Sequence, residues 1–334
     1  MSFPDELLKW YRHNARQLPW RDTGDPYKIW LSEIILQQTR IAQGTDYYLR
    51  FINRWPTVEA LARATEDEVL RMWQGLGYYS RARNLLAAAR EVAKLGQFPA
   101  DVAELRKLPG VGPYTAAAIA SFAFNLPHAV VDGNVFRVLA RHFNISTPIN
   151  TSQGQRLFTT LANQLLPPRH AAAYNQAIMD FGAMVCTPAA PKCDICPMAM
   201  TCQTLAAHNV EQRPVKQPPA QKQTRHISYL LIICHNHTAI RRRPAGDIWQ
   251  GLWEPPMYEN EPVPGFDGQL IPLRQNVRHV LTHRIIIADF HLLVTDRRPD
   301  LPGEYIWVPL DRIDDYGHSR LVELLLQSAR LALP

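Results

Sequence analysis

CTPAAPKCDICPMAMTC, residues 186–202, places Cys186, Cys193, Cys196 and Cys202 at the spacing C-x6-C-x2-C-x5-C. Cys-x2-Cys pairs serve both zinc and iron–sulfur clusters, and gaps of six, two and five residues suit one compact loop wrapped around a cubane cluster. A zinc ribbon usually separates two Cys-x2-Cys pairs more widely. Two disulfides, or chance, are the bland alternatives, and no secretory segment supports an oxidising compartment for them. The loop defines a four-thiolate site more sharply than it defines an activity, so the rest of the chain has to supply the chemistry.

At 334 residues the chain is long enough for two domains, each with its own core. No apolar run approaches the roughly 20 residues needed to span a bilayer, and the first residues, MSFPDELLKWYRHNARQLPW, lack the continuous apolar stretch of a signal peptide. An intracellular, cytoplasmic protein without membrane partners is expected. The fifth cysteine, Cys234, falls in an apolar strand-like run and reads as a buried thiol. The net charge of +6 favours a polyanionic partner, although many ordinary proteins are as basic.

Upstream of the cysteines the apolar spacing is helical, and Tyr27–Ala42, Ala60–Gln74, Arg81–Leu95 and Tyr114–Phe124 each read as one helix. Downstream, VEQRPVKQPPAQKQTR (210–225) is rich in Pro, Gln and basic residues and reads as a linker. Beyond it the period shortens: His226–His235, Thr238–Arg243 and Arg284–Thr295 read as strands, and Ser319–Leu331 as an amphipathic helix. The expected organisation is an all-α domain over 1–208, a linker over 209–226 and a smaller α+β domain over 227–334.

LPGVGPYTA (108–116) is a tight turn between helical stretches and reads as a helix–hairpin–helix over about 103–124. Gly110, Val111 and Gly112 let a backbone approach closely, and amides opening the next helix favour an anion such as phosphate. Such contacts anchor a duplex without reading its sequence. Two carboxylates complete the pattern. On a helix, Glu33 has Ile29, Trp30 and Leu36 as neighbours, an apolar setting that would raise its pKa and suit it to donate a proton; the alternative is a Glu that reaches solvent. Asp132, in VVDGNVFRV (130–138), stands at an expected helix N-cap where amide donors would keep it ionised, unless it is a cap and nothing more. One protonated and one ionised carboxyl group is the pairing that glycosidic-bond cleavage requires.

With PYKIWLSEIILQQT, GLGYYSRARNL, LPGVGPYTAAAIASFAF, VDGNVFRV and the cysteine loop in this order, the chain resembles the MutY family of adenine DNA glycosylases over nearly its full length. The resemblance implies a [4Fe-4S] cluster on the four cysteines. It makes Glu33 the acid that protonates departing adenine and Asp132 the group that stabilises or traps the sugar cation, with Tyr114 and Asn134 supporting them. It also makes Gln38 and Tyr78 residues that probe or wedge the base stack while adenine is flipped out. Endonuclease III-like relatives place a lysine where this chain has Tyr114, which cannot form a Schiff base, so a monofunctional glycosylase leaving an abasic site is implied. The region after 226 resembles the Nudix-like domain that reads 8-oxoguanine in this family; WQGLWEPP (249–256) fits it, and the glutamate run of catalytic Nudix domains is missing. The family reader is a Phe-Ser-His turn, and Leu281-Thr282-His283 offers its hydroxyl and imidazole without its Phe. A monomer acting on duplexes with A·8-oxoguanine or A·G mispairs is implied. The rivals are another helix–hairpin–helix glycosylase, for mismatched thymine or oxidised pyrimidine, a non-catalytic iron–sulfur DNA-binding protein, and a zinc-bound structural domain.

Overall fold

A computed structural model describes residues 2–218 and 221–332. The chain divides into two compact units, Met1–Ala62 with Ala87–Pro218, and Arg63–Leu86 with Pro219–Pro334. The linker expected over 209–226 includes residues 219 and 220, which lie outside the described residues.

The first unit holds α1 (Phe3–Asn14), α2 (Pro26–Ile35), α3 (Ile41–Arg54) and α4 (Val58–Ala62). The second unit takes α5 (Glu66–Trp73), and α6 (Ser80–Leu95) crosses the boundary back into the first. There follow α7 (Val102–Leu105), α8 (Pro113–Phe124), α9 (Gly133–His142), α10 (Ser152–Leu165), α11 (Ala171–Met184) and α12 (Gln203–Ala206). No helix among the described residues is long and apolar enough to cross a membrane. Two expected helices are broken. Tyr27–Ala42 stops at Ile35 because Gln38 turns left-handed, with φ 54°. Ala60–Gln74 is interrupted because Thr65 caps a new helix, its hydroxyl accepting from Glu68 N at 3.2 Å while Thr65 N donates to the Glu68 carboxylate at 2.9 Å. That Thr-x-x-Glu capping box was legible in the sequence and takes precedence over apolar periodicity.

The core of this unit is formed where α9 and α11 pack together under α1 and α10. Phe136, Phe158, Ile178 and Phe181 are buried there, and the Phe136 and Phe158 rings meet edge-on with centroids 5.3 Å apart. The linker's first half is strapped to this unit: Ile149 N donates to Val215 O at 3.0 Å, and Asn150 exchanges two hydrogen bonds with the Gln217 backbone. At Gly182 of α11 the helices approach so closely that an added Cβ would lie 2.7 Å from the Asn134 Cβ.

In the second unit a four-stranded sheet runs in the order β4 (Met257–Glu259), β1 (Gln223–Ile233), β6 (Arg284–Val294), β5 (Gln269–Val280), with β1 and β6 parallel. A three-stranded sheet orders β3 (Trp253–Glu254), β2 (His237–Arg242) and β7 (Ile306–Pro309), and α13 (Arg320–Ala332) packs against the larger sheet. Strand β5 escapes sequence reading because it is a polar edge strand, largely exposed and interrupted by bulges, so it has no buried face to leave an apolar pattern. Residues 63–86 group with this unit through specific bonds. Arg242 pairs with Glu66 at 3.1 Å and Asp67 at 3.2 Å, Tyr79 OH donates to His318 O at 3.2 Å, and Arg83 donates to Gln250 O at 2.6 Å.

The Gly182 contact gives a first prediction. Gly182→Ala should cost ~1–3 kcal/mol of stability through overpacking, outweighing the roughly 1 kcal/mol that Ala contributes to a helix interior. A urea midpoint at or above that of the unaltered protein would show that α9 and α11 have room to part.

Candidate active site

Helix α2 starts at Pro26 with Asp25 as its cap, accepting from Tyr27 N at 2.9 Å, and this phase turns Glu33 inward beside Ile29 and Trp30. Helix α8 begins at Pro113 directly after the hairpin, so Tyr114 stands on its first turn and hydrogen-bonds the Glu33 carboxyl. Asp132 is the cap of α9, taking Val135 N at 2.8 Å and the Asn134 side-chain amide at 2.6 Å. What holds that cap in place is Asn175 on α11, fully buried, which accepts from Val130 N at 3.0 Å and donates to Ser121 Oγ and His128 O, both at 2.8 Å. Glu33, Tyr114, Asp132 and Asn134 thereby line one cavity of about 540 Å³.

Burial pushes the Glu33 carboxyl up to about 7; the Tyr114 hydrogen bond and the Arg21 charge oppose this, and the Asp132 charge adds to it. The cap donors expected to keep Asp132 ionised are present, but burial outweighs them and raises its carboxyl above the ordinary value. Tyr114 is raised well above its usual range by burial first and by the two carboxylates second, so it stays a neutral hydrogen-bond donor.

Sequence reading missed several residues around this cavity. Arg16, Arg21 and Gln176 line it. Asp180, fully buried on α11, receives Arg16 Nε at 2.6 Å and Arg21 Nη1 and Nη2 at 2.6 and 2.7 Å. Arg137 on α9 donates to Asn134 Oδ1 at 2.8 Å and to Cys186 O at 2.7 Å, so the cap and the cysteine loop share one guanidinium. The one local signal was a basic residue at i+3 from Asn134 on a helix; the pairing of Asp180 with residues about 160 positions away left none.

The four loop cysteines are free of disulfides and line a single small cavity. Arg141 fixes the loop, donating to Cys186 Sγ at 3.4 Å, Thr187 O at 2.7 Å and Pro188 O at 2.9 Å. Burial pushes the Cys196 thiol up to about 11, with repulsion from the neighbouring thiols also raising it, so four thiolates there call for a strongly positive group.

The residues expected to contact DNA fall in both units of the chain. Gln38 is exposed at its left-handed turn. Gly110, with φ 76°, and Gly112 are exposed, whereas Val111 is buried and its N–H is taken by Leu108 O at 3.1 Å. In the second unit Tyr78 also has a left-handed backbone, with φ 47°, and its ring is 46% exposed. Two such non-glycine residues at exposed positions hold conformations that only their surroundings stabilise. Tyr78 OH hydrogen-bonds Thr282 Oγ1, joining residues 204 apart in the chain. Thr282 and His283 form the exposed tip of the β5–β6 hairpin, closed by Leu281 N to Arg284 O at 2.8 Å, on the rim of a cavity of about 660 Å³ that Trp249 and His279 also line. Three acids of this unit are engaged by arginine: Glu259 by Arg225 at 2.7 Å, and Glu254 and Asp247 by Arg243.

Residues 31–164 match the HhH-GPD superfamily of base excision DNA repair proteins, and residues 228–328 match the NUDIX domain. The chain is similar to the adenine DNA glycosylase of Buchnera aphidicola subsp. Baizongia pistaciae, 37% identical over 262 residues covering 76% of this chain and 73% of that one. It is similar to the enzyme of the same name from Buchnera aphidicola subsp. Acyrthosiphon pisum, 33% identical over 296 residues covering 86% and 82%. Among solved structures it is similar to a thermostable thymine-DNA glycosylase, with a TM-score of 0.57 and 32% identity over 61% of this chain and 95% of that one.

The setting of Glu33 has a consequence for stability. A carboxyl whose folded-state pKa lies above its unfolded value destabilises the fold where it is ionised, above about pH 7, and the penalty fades as pH falls from there toward 4.5. Glu33→Gln should therefore raise stability at alkaline pH by on the order of 3 kcal/mol and leave it nearly unchanged in acid. Thermal melts at the two extremes test this; equal changes at both would mean that Glu33 titrates as an ordinary glutamate.

Proposed function

The chain belongs to the adenine DNA glycosylase family, and we propose that it excises adenine mispaired with 8-oxoguanine, or with guanine, from duplex DNA, leaving an abasic site. The observation that carries this reading is a carboxyl group poised near neutral pH, Glu33, sharing one cavity with a second carboxylate, Asp132. Protonated Glu33 gives its proton to a ring nitrogen of the flipped adenine as the N-glycosidic bond breaks, and the bonding electrons leave with the base. Asp132 faces the resulting oxocarbenium-like sugar, stabilising it or bonding to it until water adds at the anomeric carbon. The burial that raises the Asp132 carboxyl also removes the water that would screen its charge. Asn134, tied to Arg137, orients that carboxylate, and Tyr114 orients Glu33. With tyrosine at this position there is no amine for a Schiff base, so the reaction ends at hydrolysis.

Gly110 and Gly112 bring the hairpin backbone close to a phosphate, with Val111 shaping the turn from inside. Gln38 and Tyr78 probe the base stack. Thr282 and His283 read the oxidised guanine, with Tyr78 steadying the Thr282 hydroxyl. The four cysteines fit a [4Fe-4S] cluster: they line a common cavity and are free of disulfides, at a spacing suited to four thiolate ligands. Cys186, Cys193, Cys196 and Cys202 would hold it through iron–thiolate bonds that would staple the loop, and Arg141 and Arg137 tie that loop to α9. We take the working form to be a monomer.

Single-turnover base release from duplexes carrying A opposite 8-oxoguanine, A opposite G, A opposite T and T opposite G tests the reading. Adenine should be lost fastest opposite 8-oxoguanine, and Glu33→Gln should abolish release while retaining duplex binding. Binding of every duplex without loss of any base would overturn it. Thr282→Val should narrow the preference for 8-oxoguanine over guanine about tenfold, the loss expected from one hydrogen bond worth about 1.4 kcal/mol. Iron and sulfide content, with broad visible absorption, checks the cluster, and a colourless protein holding zinc would contradict it.

A further inference from the structure

We propose that Asp180 is a positioning residue for the acid: by holding Arg16 and Arg21 it keeps their charges from Glu33, which thereby retains the proton it must donate. The proposal rests on the glycosylase reading for its kinetic test alone.

Asp180 is wholly buried on α11, and its carboxylate is saturated with donors. It accepts from Arg16 N at 3.0 Å and Nε at 2.6 Å, and from Arg21 Nη1 at 2.6 Å and Nη2 at 2.7 Å, and Arg16 Nη2 lies 2.6 Å from Oδ1. Burial alone would raise this carboxyl, but the two guanidiniums bring it below its ordinary value, so it is a fixed negative charge. One carboxylate against two guanidiniums leaves one net positive charge on a wall of the cavity that Glu33 shares.

The groups that face Glu33 come from several elements. Tyr114 on α8 hydrogen-bonds it, Asp132 at the start of α9 repels its ionised form, and Arg21, in the segment before α2, attracts that form. Arg16 and Arg40 line the same cavity, and Arg137 acts on Asp132. Burial does most to keep Glu33 protonated and the Tyr114 hydrogen bond opposes it; on top of these Asp132 and Arg21 act in opposite directions, and Asp180 tempers the Arg21 side. Without that carboxylate, Arg16 and Arg21 would be uncompensated cations in a poorly screened site, and the ionised form of Glu33 would be the nearest relief for Arg21. Asp180 also ties down the segment that carries both arginines, a structural role that the test has to separate.

The test is the pH dependence of single-turnover adenine release by the full, cluster-loaded protein. Release requires protonated Glu33, so the rate falls as pH rises through the Glu33 titration. Asp180→Asn should move that alkaline limb down by ~1 pH unit, costing about tenfold in rate above the limb and little on the acid plateau. Arg21→Gln should move the limb up, and the double variant should return it toward its original position. If Asp180→Asn does not fold, the upward shift in Arg21→Gln carries the test. A role in folding alone would lower the rate by the same factor at every pH and leave the limb in place, and that result in both single variants would overturn the proposal. Infrared titration of the Glu33 carboxyl band in the free protein, identified by its loss in Glu33→Gln, should show the same displacements without turnover. Displaced bands in a protein that released no adenine would therefore sink the glycosylase reading and leave the electrostatic one standing.

Discussion

Close packing of α11 on α9 is the constraint on which the helical unit's chemistry depends. It is possible because Gly182 has no side chain to hold Asn134 away. At that contact Arg137 reaches Gly182 O at 2.5 Å and Asn134 Oδ1 at 2.8 Å, and Asn134 in turn holds Asp132 at 2.6 Å. Two residues earlier on α11, Asp180 gathers the segment before α2, and about two turns before Gly182 Asn175 fixes the approach to the α9 cap. Two helices in contact therefore set the position of the carboxylate, of its amide partner and of the cations nearest the acid.

The same burial that makes the site reactive makes it costly. Glu33 held near neutrality and Asp132 raised are each less favourable than an apolar residue of similar size would be, whereas Asp180 is held charged by the two arginines it pairs. They persist because the surrounding apolar core, from Trp30 to Phe181, is large enough to offset them. Gln38 and Tyr78, proposed to meet DNA, are among the described non-glycine residues held in the left-handed region.

The second unit uses charge differently. Arg225, Arg241, Arg243, Asp247, Glu254 and Glu259 form a neutralised network that pins the loop between β2 and β3 to the sheet. That loop carries Gly251, whose φ of 82° and close approach to Glu66 and Leu70 let residues 63–86 settle against it. Tyr78 reaches Thr282 as a result, so a residue far upstream becomes part of the hairpin tip that meets the oxidised base in the proposed function.

What the sequence determined by itself was local. The Asp132 cap, the Gly110 turn, the cysteine spacing and the long strands β1 and β6 follow from preferences that act across three or four residues or along one buried face. The Thr65 capping box was equally local and was outweighed in the reading by apolar periodicity. Strand β5 left no trace because its exposed, bulged edge required no pattern. Only the tertiary structure decided the state of Glu33, the capture of Arg16 and Arg21 by Asp180, and the meeting of Tyr78 with Thr282. A pKa depends on the water removed and the charges brought near, and here those come from residues some hundred positions apart, which no spacing along a chain records.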